Sequence, residues 1–150
     1  MITRYERLAA LLALFLVGTW GCAGEGTGLD EFGNPLGGTT APLGPTLAGI
    51  QDNIFTSICT LCHTGAAAPL GLALDKGVAF QNLVSVESGQ FPGMSRVDPG
   101  DADLSYIVWK VEGQTGIVGE RMPPLGLIPL SAEQIAAIRG WIDAGAPPDN

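Results

Sequence analysis

Histidine is almost missing from this chain: His63 is the single one among 150 residues. Cysteine is scarce at three, and basic side chains number 7 against 15 acidic ones, a formal net charge of −8. So few cations argue against nucleic acid binding, which needs a basic patch to neutralise phosphates. An acidic surface of this kind favours a basic or neutral patch on a partner. A closed structural zinc site needs four ligands, and with one histidine it would have to recruit Cys22 from far upstream. No grouping of residues resembles a catalytic acid, base or nucleophile set. Long apolar runs are also few. The one near the N-terminus, Leu8 to Val17, is too short for a comfortable membrane span.

That run has another reading. Arg4 and Arg7 precede it and small residues follow it, the order of a secretory signal over residues 1–21. Thr19-Trp20-Gly21-Cys22-Ala23 looks like a bacterial lipoprotein box, in which the cysteine is acylated and becomes the mature N-terminus. Trp20 and Thr19 depart from that pattern, so simple cleavage near Ala23 and an uncleaved anchor stay open. All three expectations put the rest of the chain outside the cytoplasm, in the periplasm or cell envelope. Residues 22–45 then change to Gly, Thr and Pro, which reads as a flexible linker spanning on the order of 25 Å. It would let a domain of residues 46–150 stand off the membrane.

The scarce residues converge at Cys59-Thr60-Leu61-Cys62-His63. C-x-x-C-H is the attachment motif of a c-type haem: two thiols on one turn add to the two vinyl groups, and the adjacent imidazole reaches the iron. A thioredoxin-like dithiol would fit C-x-x-C alone, but it expects a βαβ context and does not need the histidine. With one histidine in the chain, the second axial position would fall to a methionine, water, an exogenous ligand or another chain. Met122 stands in a Met-Pro-Pro loop, and Met94 in a Pro/Gly-rich one. Met122 has the stiffer setting, and plain core packing is the alternative for either.

Helical periodicity surrounds the motif. Leu47, Ile50, Ile54, Phe55 and Ile58 form one stripe after Thr46 as N-cap. Leu72 and Leu74 suggest a short extended piece, and Asp75 an N-cap for a helix carrying Ala79, Phe80, Leu83 and Val84. A third helix is expected from Asp98 or Asp101, with Leu104, Ile107, Val108 and Val111 inward, Tyr106 and Trp109 on its flanks, and Gly113 as its stop. The glycine- and proline-rich stretch from Gly113 to Leu130 excludes regular helix. Ser131 and Gln134 form a capping box for a last helix with Ile135, Ile138, Trp141 and Ile142 inward, followed by a tail.

Taken together, residues 46–146 resemble the small bacterial class I c-type cytochromes. The resemblance rests on an aromatic before the attachment motif, C-x-x-C-H, a Met-Pro loop, and a final Ile/Trp-bearing helix ending in Ala-Gly-Ala. It implies an all-α, cytochrome c-like domain around one covalent haem c, with Cys59 and Cys62 as thioether partners and His63 and Met122 as axial ligands. It also implies that a carbonyl of the loop near Pro69 accepts the other N–H of His63. The implied work is single-electron transfer between extracytoplasmic protein partners rather than catalysis. A haem-based sensor or enzyme with an open sixth site, and a relay module of a larger oxidoreductase complex, are the alternatives.

Overall fold

The computed structural model describes residues 43–149. The expected leader, Cys22 and most of the expected linker lie outside the described residues. Among the described residues the fold is all-α: short helices joined by long turns, with no strand, only single bridges such as Val84 to Val97 and Glu87 to Ser95.

Helix α1 (Leu47–Ile50) starts at Thr46, whose Oγ1 accepts from the Gly49 N–H at 3.1 Å. It then widens into a π turn, Gln51–Phe55, in which the Thr56 N–H reaches back to the Gln51 carbonyl at 2.8 Å. The three- and four-residue spacing did not foretell this turn. Its effect is to bury the consecutive residues Ile54 and Phe55 together with Ile50. Gln51 is buried too, and its amide donates to Thr56 Oγ1 and the Leu74 carbonyl, so no polar group is stranded. Wide turns of this type concentrate at functional sites. This one ends four residues before Cys59.

Helix α2 (Ala79–Leu83) has no side-chain cap. The expected cap, Asp75, has its carboxylate engaged elsewhere, with Thr64 and Gly65, and only its backbone carbonyl receives the Val78 and Ala79 N–H groups. A tight 3₁₀ turn, Pro69–Gly71, precedes the expected extended piece at Leu72 and Leu74. Helix α3 (Tyr106–Glu112) starts later than the Asp98 or Asp101 expected, because Asp101 spends its carboxylate on the Leu104 N–H of a preceding turn. That shift leaves Leu104 exposed and turns Tyr106 inward. Gly113, at φ +72°, stops the helix as expected.

Helix α4 (Ala132–Asp143) carries the full capping box of Ser131 and Gln134. It packs on α1 and α3, and Trp141, Ile138 and Ile142 are buried with Phe55, Ile50, Leu83 and Val108 in one core. The last three residues of the expected linker and the C-terminal tail are docked on it. The Leu43 N–H donates to Glu133 at 2.9 Å, and Pro45 lies against Gly140 so closely that a Cβ there would meet it at 3.0 Å. The C-terminal tail buries Ala146, offers the Pro147 carbonyl to Trp141 Nε1 at 2.9 Å, and caps the Ala48 N–H with Asp149.

Candidate functional site

The π turn delivers the chain into a short 3₁₀ turn, Cys59–Leu61, in which one carbonyl organises the motif. The Cys59 oxygen accepts from both the Cys62 and the His63 N–H groups, at 3.1 and 2.9 Å. Both thiols and the imidazole are thereby wound onto one turn. Cys59 and Cys62 are free thiols, and burial pushes Cys59 up to about 11.

His63 is held by the loop that follows it. Its Nδ1 lies 3.0 Å from the Leu72 carbonyl, so the N–H at Nδ1 donates there and Nε2 is left as the ring's other nitrogen. The loop is itself tied down. The Leu74 N–H returns to the His63 carbonyl at 2.8 Å, and Asp75 receives Thr64 Oγ1 at 2.5 Å and the Gly65 N–H at 2.8 Å. Those two bonds, Thr64 first, hold the Asp75 carboxyl below its ordinary range.

The motif faces a cleft of about 240 Å³. Its walls are mainly aliphatic and aromatic, drawn from the π turn, the loop after His63, α2, α3, α4 and the glycine- and proline-rich loop. Cys59, Cys62, His63 and Met122 all line it, whereas Met94 does not. The structure thus brings together four sequence-selected residues from two segments far apart in the chain. Met94 instead sits in a turn, its carbonyl accepting the Ser88 N–H. Cys22 lies outside the described residues. Among the described residues, no three His, Cys, Asp or Glu side chains are grouped as a metal ion would require.

Two residues of the cleft were not singled out from sequence. Arg96 donates to the carbonyls of Asn82 and Leu70 at 2.8 and 2.7 Å. Lys110, buried on α3, donates to the carbonyls of Val118 and Glu120; burial lowers its pKa, partly offset by Glu120. Among the described residues these are the only Lys, Arg, Asp or Glu side chains on the cleft wall, and both are cations. In a chain with twice as many acids as bases this bias is notable. One signal was available: Lys110 interrupts the apolar face of Ile107, Val108 and Val111.

Compared with family models, curated proteins and solved structures, the chain gives no match.

Proposed function

We propose that this protein is a monohaem c-type cytochrome, with a cytochrome c-like domain, that carries single electrons between extracytoplasmic redox partners. The observation that carries the reading is a histidine fixed at Nδ1 by the Leu72 carbonyl, on the same turn as two cysteines, in an apolar cleft that a methionine also lines.

The residues present fit the group. Cys59 and Cys62 would hold haem through thioethers, and His63 Nε2 and Met122 Sδ would be its axial ligands. The aliphatic walls suit a large flat apolar ligand. Arg96 suits one of its carboxylates, and among the described residues no acidic side chain on the wall opposes it. When bound, haem supplies a one-electron ferric/ferrous couple.

The remaining work belongs to the chain. The Leu72 carbonyl selects the tautomer and orientation of His63 and raises its basicity. A methionine sulfur is a soft donor that favours the reduced iron and raises the potential relative to paired histidines. The aliphatic wall keeps water from the centre. Tethering through acylated Cys22 belongs to the same proposal and would hold the domain at a membrane surface.

The test is to produce the full chain in a periplasm with a cytochrome c maturation system, stain denaturing gels for haem, and record oxidised and reduced spectra. Haem retained under denaturation, a sharp low-spin reduced spectrum and the weak sulfur-to-ferric-iron band are expected. A high-spin spectrum that shifts with carbon monoxide would favour the sensor or enzyme alternative. A chain without haem would overturn the reading.

A further inference from the structure

We infer that Lys110 is the positioning residue for Met122, clamping the loop that carries it onto helix α3. The inference rests on the reading of Met122 as an axial ligand. Three contacts leave this one residue: its Nζ donates to the carbonyl of Val118 at 2.9 Å and to that of Glu120, and its own carbonyl accepts the Met122 N–H at 2.8 Å. The loop is thus held on both sides of Arg121. One turn earlier on α3, the Tyr106 hydroxyl accepts the Val118 N–H at 3.0 Å.

Beyond Met122 the loop is anchored by buried Pro123 and Leu130, so the stretch ahead of Met122 depends on the contacts to α3. The loop's residues form no helix, Gly116, Gly119 and Gly126 have positive φ, and Leu125 and Ile128 are 88% and 87% exposed. Ahead of Met122 its backbone geometry is therefore set at the α3 side. An ammonium is suited to this task because it carries three donors and can satisfy two carbonyls at once, and charge-assisted bonds are stronger than neutral ones. Without these bonds the glycine-bearing stretch ahead of Met122, which carries Gly116 and Gly119, would sample positions in which the sulfur leaves the cleft. An exogenous ligand could then compete for its place.

The experiment compares the ferric full-length protein with Lys110→Met, Lys110→Arg, Lys110→Gln and Arg139→Gln. Imidazole titration and the sulfur-to-iron band are the readouts. Arg139→Gln is the control: it breaks ion pairs to Glu112 and Asp103, of which Glu112 meets the loop only at Gln114, ahead of the clamped segment from Val118 to Met122. Loss of a buried charged hydrogen-bond donor is expected to raise imidazole affinity about tenfold or more in Lys110→Met. The band should weaken as well. Lys110→Arg, which keeps donors and charge, should recover part of the effect, and Arg139→Gln should bind imidazole as the parent does.

A parent protein with the band, together with Lys110→Met binding imidazole like the parent, overturns the inference and leaves the Met122 reading intact. A parent without the band overturns that reading and the inference with it. If Lys110→Met fails to accumulate, Lys110→Gln decides: raised imidazole affinity supports the clamp and unchanged affinity overturns it.

Discussion

His63 Nδ1 lies 3.0 Å from the carbonyl oxygen of Leu72, nine residues along the chain. The contact needs a loop that doubles back, and the residue before Leu72, Gly71, sits at φ +66° to allow it. A β-branched side chain is strained in that region at a cost of about 1–3 kcal/mol. Gly71→Val should therefore lower the denaturant midpoint and raise the reduction potential, because an imidazole with a weakened hydrogen bond is a poorer donor. Potentiometry on the folded variant is the check, and an unchanged potential would detach Leu72 from the tuning of His63.

The two methionines of the folded domain should behave differently. Met122→Ala is expected to abolish the sulfur-to-iron band, lower the potential and admit carbon monoxide to the reduced form. Met94→Ala, outside the cleft, should leave all three as they are. Spectra of the pair, side by side, distinguish the cleft residue from the turn residue.

Trp141 joins the core to the tail. It is fully buried, and its Nε1 donates to the Pro147 carbonyl. Trp141→Phe should cost about 1–2 kcal/mol from the lost hydrogen bond and volume, and Trp141→Ala about 3–5 kcal/mol. Urea unfolding monitored by circular dichroism measures both. Equal effects would mean that ring volume contributes little.

Acid should weaken the α3–α4 contact. Glu112 is held below its ordinary value of 4.5, first by its hydrogen bonds to Arg139, and Arg139 is correspondingly raised, first by Glu112. A depressed carboxylate adds stability above its unfolded pKa and loses it as pH falls through the lower folded value. The melting temperature should fall as pH drops below about 4.5. Glu112→Gln should start lower at neutral pH and show a shallower acid limb in thermal scans.

Cys22 gives a prediction of location. Cys22→Ser should abolish incorporation of labelled fatty acid and move the protein from the membrane fraction to the soluble one. Retention in the membrane fraction without label would point to an uncleaved anchor instead.

Short-range chemistry was readable along the chain. The Thr46 cap, the Ser131 and Gln134 box, the Gly113 stop and the spacing of Cys59, Cys62 and His63 each depend on residues within about one turn of one another. The inward stripe of α4 followed from its period. Misreadings arose where a distant partner outbid a local one. Asp75 had the right type for a helix cap, yet Thr64 and Gly65 took its carboxylate. Tyr106 looked like a flanking residue, yet Val118 and the packing of Phe91, 5.8 Å away between ring centres, drew it inward.

By itself, the sequence determined the close spacing of Cys59, Cys62 and His63, the two strongest helix caps and the all-α class, because these follow from neighbours in the chain. Only the tertiary structure decided that the carbonyl is that of Leu72, that Met122 rather than Met94 lines the cleft, and that Lys110 holds the loop. Each of those contacts joins segments separated by turns without periodicity, and their meeting is set by how the core packs rather than by any local preference.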